Sequence, residues 1–205
     1  MSTPRHVLEI DDLSPEELRR VLDLAADPAR PQLLAGRSVA LYFEKPSLRT
    51  RHSSEVAVVE LGGHPLTFRG EEVGTAEREP LDDIGRVLSG FHALIGARVY
   101  DHATLEGFAR GASIPVVNLL SDSGHPCQAL ADLLTMQQRW GGLEGRTVCW
   151  VGDYNNVARS LSLGAAMTGM ALRIASPHGY GPTDGDLERL VAAGLPEAPF
   201  VTTRP

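Results

Sequence analysis

From Ser38 onward, short apolar runs alternate with longer segments of helical spacing, and only a few turn residues separate them. "SVALYF", "HPLTFR", "ALIGARVY", "IPVVNLL", "RTVCWV", "ALRIAS" and "PFVTTRP" read as strands. "TRHSSEVAVVELGG", "PLDDIGRVLSGF", "TLEGFARGA", "HPCQALADLLTMQQRW", "NNVARSLSLGAAMTGM" and "LERLVAAG" read as helices between them. An earlier helix at "SPEELRRVLDLAADP" is capped by Ser14, starts with Pro15 and completes a capping box with Glu17. A chain of this pattern folds as an α/β protein, a largely parallel sheet flanked by helices. The first four strands and their helices fill one domain, residues 1–140. The Gly-rich "GGLEG" opens a second, residues 141–205. That second part holds only two or three strands, fewer than a doubly wound domain needs, so it is expected to be incomplete.

Composition narrows the function. The net charge is −7, which argues against nucleic acid or an anionic membrane as partner. A local basic cluster in such a chain points to a small anion. Cys127 and Cys149 form no metal spacing and no disulfide framework, and a reducing compartment is the simplest reading. Neither a signal-like apolar stretch at the N-terminus nor a run of transmembrane length occurs, so a cytoplasmic protein is expected.

The basic cluster is "FEKPSLRTRHSSE", between a strand end and a helix start. Ligands of open α/β sheets bind beyond the carboxyl ends of strands, and free N–H groups at a helix start favour an anion. Ser47 and Thr50 add hydroxyls, and Arg49 can grip a phosphate with two parallel hydrogen bonds. The plainer alternative is a solvated turn with ordinary caps. No Walker loop is present, and "GDYNNV" offers only Gly152 toward a dinucleotide fingerprint, which leaves a nucleotide-binding module as a weak rival. In "SGHPCQALAD", His125 can donate to a carbonyl oxygen and Gln128 can bond an amide edge, unless His125 is only a cap. Cys127 has no evident base and is expected to be packed rather than nucleophilic. Arg98 closes a strand as a surface charge or a ligand contact. Asn155 or Asn156 caps a helix or holds a polar substrate. Together these strand ends suit a phosphate joined to a carbonyl or amide group.

"FEKPSLRTR", "LGGHP", "HPCQALADLLT" and "VGDYNNVARSL" resemble the transcarbamylase family, and most of all its ornithine carbamoyltransferase branch, in order and spacing from about Leu8 onward. The resemblance implies that Ser47, Leu48, Arg49 and Thr50 bind the phosphate of carbamoyl phosphate. It implies that Arg98 and His125 reach the carbamoyl oxygen, with Arg49, Thr50, Arg98 and His125 as the catalytic set. Gln128 would contact the carbamoyl amide and Asn156 would contact ornithine. A homotrimer and chemistry without metal or cofactor are implied as well. Leu48 departs from the family's usual second hydroxyl, a change that backbone contacts should survive. Glu72 stands where many members carry glutamine in a loop reaching the neighbouring subunit, and a carboxylate there would repel the substrate. The family's "SMG" and "HCLP" segments and its returning helix are not found, so a C-terminally truncated enzyme is expected. A transcarbamylase for another amine, or a non-catalytic carbamoyl-phosphate-binding fragment, are the alternatives.

Overall fold

The computed structural model describes residues 4–73, 79–195 and 200–202. A one-turn 3-10 helix at Ile10–Asp12 is followed by α1 (Pro15–Ala26), β1 (Ser38–Phe43), α2 (Leu48–Glu60), β2 (His64–Arg69) and α3 (Gly70–Val73). Next come α4 (Leu81–Ser89), β3 (Ile95–Arg98), α5 (His102–Gly111), β4 (Val116–Leu120) and α6 (Pro126–Trp140). The chain continues with β5 (Thr147–Val151), α7 (Asn156–Met167), β6 (Ala171–Ala175), α8 (Asp184–Ala192) and β7 (Phe200–Thr202). The α/β alternation expected from the sequence is therefore observed. The 3-10 turn and α3 fall outside it because each is too short to carry a hydrophobic repeat.

Contacts divide the chain into two compact units, Met1–Leu8 with Pro28–Asp122, and Glu9–Asp27 with Ser123–Pro205. The boundary expected at residue 140 follows chain order, whereas this division groups α1 and α6 with the second unit. Their apolar faces supply the reason. Leu18 and Leu22 of α1 and Ala129 and Leu133 of α6 share one buried cluster with α7.

The first unit holds a parallel sheet in the order β2-β1-β3-β4. An inner strand of such a sheet is covered on both faces and reads as a continuous apolar run. β1 obeys this, being buried from Val39 to Phe43. β2 lies at the edge and is only partly covered. The Tyr42 ring meets Phe108 edge-on at 5.2 Å and Phe68 at 5.6 Å. Helices α4 and α5 approach closely where Gly111 has no side chain, since a Cβ there would overlap the Asp82 carbonyl. Parallel pairing sets Arg69, Phe43, Arg98 and Leu120 side by side at the carboxyl edge of the sheet, so the segments leaving β1 and β3 start from one place.

The second unit holds the parallel sheet β5-β6-β7. Helix α7 is buried continuously from Ser160 to Met167, and its Leu163 clusters with Ile10, Leu133, Met170 and Ile174. Among the described residues, no helix is long and apolar enough to cross a membrane.

Candidate functional site

Helix α2 starts two residues earlier than the apolar spacing predicts, so Leu48, Arg49 and Thr50 form its first turn rather than a loop. Ser47 is the N-cap, and its hydroxyl accepts the Thr50 N–H at 3.3 Å. Helix starts usually gain from nearby carboxylates. Here α1, α4 and α8 carry acids in their first turns, and Asp101 caps α5. The first turn of α2 has none. Its positive end and the N–H groups of Leu48 and Arg49 are therefore open to an external anion. Leu48 is 74% exposed, and since its side chain has no hydrogen-bond donor, only its backbone N–H can bond an anion. Arg49 is exposed as well.

Arg98 joins this turn from β3. The pairing of β3 with β4 is irregular between Ala97 and Arg98, a device that re-aims a side chain at a strand end. The Arg98 Nη1 donates to the Thr50 hydroxyl at 3.2 Å. Its Nε is buried and, among the described residues, meets no acceptor. Burial pulls the guanidinium below its ordinary pKa. A buried N–H left unmatched costs about 1–3 kcal/mol, a cost that an arriving acceptor would relieve. The first unit thus unites Ser47, Leu48, Arg49, Thr50 and Arg98 at one helix start.

An open groove of about 1120 Å³ also begins at Ser47 and Leu48, and runs past Arg51, Glu55 and Arg69; Arg49, Thr50 and Arg98 do not line it. Its floor is organised by Glu55, which accepts the Thr67 hydroxyl at 2.6 Å and Arg51 Nε at 3.0 Å. Those bonds, Thr67 first, hold the Glu55 carboxyl below its ordinary pKa. Glu72 lies in α3, exposed, and its carboxylate accepts the Arg69 backbone N–H at 2.8 Å. It is turned onto its own chain. Residues 74–78, the rest of that loop, lie outside the described residues.

The other candidates belong to the second unit. His125 is the N-cap of α6, with φ −139° and ψ 64°, and makes no side-chain cap bond; capping is not its task. Gln128 Nε2 donates to Asp132 at 3.0 Å on the exposed face of α6. Burial pushes the Cys127 thiol up to about 11, so it is a poor nucleophile, as the missing base suggested. Asn155, not Asn156, caps α7, accepting from Val157 and Ala158 at 3.0 and 3.2 Å. Asn156 sits in the first turn, itself free of acids.

Four residues outside the sequence expectations, Arg159, Asp186, Ser160 and Glu9, hold the His125 segment. The Arg159 Nη1 donates to the Ser123 carbonyl at 2.8 Å, while its Nε binds Asp186 at 2.8 Å. The His125 N–H donates to the Ser160 hydroxyl at 2.8 Å, and Ser160 donates to Glu9 at 2.7 Å. Arg159 and Ser160 lie inside "VGDYNNVARSL", yet no local spacing marks them. Among the described residues, no group of three or more His, Cys, Asp or Glu side chains could hold a metal ion.

Comparison with known proteins shows the family and the fold. The family model of the aspartate/ornithine carbamoyltransferase carbamoyl-P binding domain matches residues 5–138, and that of the Asp/Orn binding domain matches residues 144–198. The ornithine carbamoyltransferase of Thermus thermophilus is 48% identical over 92% of this chain and 64% of its own length. That of Haloquadratum walsbyi is 42% identical over 96% of this chain and 66% of its own length. The chain thus spans a little under two thirds of these curated relatives. Among solved structures, the T. thermophilus ornithine carbamoyltransferase superposes with a TM-score of 0.88 at 45% identity, covering 98% of this chain and 69% of that one. The Pyrococcus furiosus enzyme superposes at 0.89 and 36% identity, covering 97% and 66%.

Proposed function

The chain belongs to the aspartate/ornithine carbamoyltransferase family, and from that premise we propose that it transfers the carbamoyl group of carbamoyl phosphate to the side-chain amine of L-ornithine. The products are citrulline and phosphate, and the setting is cytoplasmic arginine metabolism. The observation that carries the reading is the acid-free start of α2 with Arg98 bonded to Thr50 across it.

Under this reading residues 1–140 serve carbamoyl phosphate and residues 141–205 contribute to the ornithine side. The phosphate is held by the N–H groups of Leu48 and Arg49, the Ser47 hydroxyl and the Arg49 guanidinium, while the single Thr50 hydroxyl proton is left for the carbamoyl oxygen. Arg98, Thr50 and His125 donate to the carbamoyl oxygen, and Gln128 takes the carbamoyl amide. The unprotonated amine of ornithine attacks the carbamoyl carbon, and the C=O electron pair moves to oxygen. Fixed donors are most effective where charge develops, so Arg98 stabilises the resulting oxyanion. The oxyanion pair then re-forms C=O as the C–O bond to phosphate breaks, and the departing phosphate oxygen takes the extra proton from the amine nitrogen. Asn156 orients the amino-acid end of ornithine. Glu72, bound to the Arg69 N–H, takes no part in substrate binding within its own subunit. A homotrimer is the assembly proposed, checked by sedimentation equilibrium.

The test is calorimetric titration with carbamoyl phosphate. Arg49→Ala should weaken binding roughly 10- to 100-fold, the worth of a lost charged hydrogen-bond pair, about 2 kcal/mol. Unchanged affinity would remove the phosphate assignment. A citrulline assay decides the second half: tight carbamoyl phosphate binding without citrulline would make the chain a carbamoyl-phosphate binder only. Turnover with another amine and not ornithine would replace the acceptor.

A further inference from the structure

Under the His125 segment lies a carboxyl group that the mechanism above does not use. Glu9 is only 4% exposed. Its Oε1 caps the 3-10 turn by accepting the Ile10 N–H at 2.7 Å, and it also accepts the Ser160 hydroxyl at 2.7 Å. Ser160 in turn accepts the His125 backbone N–H at 2.8 Å. A hydroxyl has a single proton. Ser160 directs it to Glu9 and keeps its lone pairs for His125, which makes a relay of fixed direction. Gly124, next to His125, is shaped for the same carboxylate, because a Cβ there would overlap Glu9. The relay joins residues 151 positions apart in the chain, and all of it lies in the second unit.

We propose that Glu9 is a positioning residue for His125, its carboxyl group setting the seat of the His125 backbone through the Ser160 hydroxyl, so that the protonation state of Glu9 is felt at the imidazole. The inference rests on the reading in which His125 meets the carbamoyl oxygen. An ionised Glu9 makes the Ser160 bond charge-assisted and polarises Ser160 toward His125. A proton on Glu9 removes that charge and loosens the seat.

Several groups face Glu9. Arg189 of α8 favours its ionised form, but Arg189 is already held by Asp11 at 2.6 and 2.7 Å. Asp11 opposes ionisation. Asp12 accepts the Glu9 backbone N–H at 2.9 Å, and Tyr154, ahead of α7, lies within electrostatic reach. Burial outweighs the Ser160, Ile10 and Arg189 contributions and raises the Glu9 carboxyl to about 7. The relay therefore changes state near neutral pH.

The experiment follows the His125 amide resonance of the full 205-residue chain through a pH titration by nuclear magnetic resonance. The expected result is a step with midpoint near 7 in the parent protein and its loss in Glu9→Gln, where His125 itself is retained. A His125 amide that moves identically in both proteins overturns the proposal. Should Glu9→Gln fail to fold, Ser160→Ala takes its place: the step should vanish there, and its survival overturns the relay. On the same samples, the change in carbamoyl phosphate affinity between about pH 6 and about pH 8 should be roughly two- to tenfold larger in the parent than in Glu9→Gln, the span of one hydrogen bond. Equal pH responses overturn the functional link to His125. No binding by any of the proteins overturns the carbamoyl phosphate reading itself, while the resonance still decides the relay.

Discussion

The start of α2 and the start of α6 solve opposite problems. At α2 the groups are open: Leu48 and Arg49 are exposed, the first turn lacks acids, and the cap is a single serine. At α6 the loop before the helix is fastened from behind by Arg159, Ser160 and a buried carboxyl. The open start is suited to catching an anion from water. The fastened start is suited to holding one imidazole in place. The contrast shows that an open helix start can be built from neighbours in sequence, whereas a fastened one draws on distant parts of the chain.

Breaking the contrast is easiest through pH. The Glu9 carboxyl rises from 4.5 to about 7 in the folded protein, so the folded state binds its proton more tightly than the unfolded state. Its contribution to stability is then fully present below about pH 4.5 and is lost as pH rises through about 7. The full span is about 3 kcal/mol. Both tryptophans, Trp140 and Trp150, lie in the second unit, so urea unfolding followed by their fluorescence reports on it. Stability should fall between pH 5 and pH 8.5 in the parent and fall far less in Glu9→Gln. Parallel curves for the two proteins would mean that Glu9 is not buried as described.

The two sites were legible from the sequence to different degrees, and for that same reason. "SLRTR" exposes its chemistry in five consecutive residues, and the strand–helix alternation places it at a strand end. All of Ser47, Leu48, Arg49 and Thr50 are found in or beside one helical turn, with Arg98 against it. His125 was also singled out, but its support was not. Glu9 precedes a three-residue turn with no periodic signal, and its partner Ser160 sits in an apolar helix where a serine reads as filler. The grouping of α1 and α6 with the second unit was hidden likewise, since it depends on which apolar face Leu18, Leu22 and Leu133 share. Local rules report helices and caps; they do not report which buried face accepts them.

The open site can be sharpened through its cap. Ser47 spends its hydroxyl on the Thr50 N–H at 3.3 Å. Ser47→Ala should therefore cost about 1 kcal/mol of stability, the usual worth of an N-cap, read as a lower thermal midpoint. It should also weaken carbamoyl phosphate binding several-fold, about 1 kcal/mol, by loss of one hydroxyl donor. A stability loss with no change in affinity would confine Ser47 to capping and leave the phosphate to Arg49 and the backbone.

The smallest effect should come from Leu48, an apolar residue in the first turn of α2. Its side chain is 74% exposed and its N–H is one of those left open by the helix start. If the backbone is what serves the anion, Leu48→Thr should alter carbamoyl phosphate affinity by less than about twofold, below roughly 0.4 kcal/mol, since a hydroxyl at the water boundary exchanges one hydrogen bond for another. The branched side chain costs only tenths of a kcal/mol in helix propensity. A tenfold gain from Leu48→Thr would show that the α2 start lacks a donor the ligand needs, and the open site would then depend on side chains as strictly as the fastened one does.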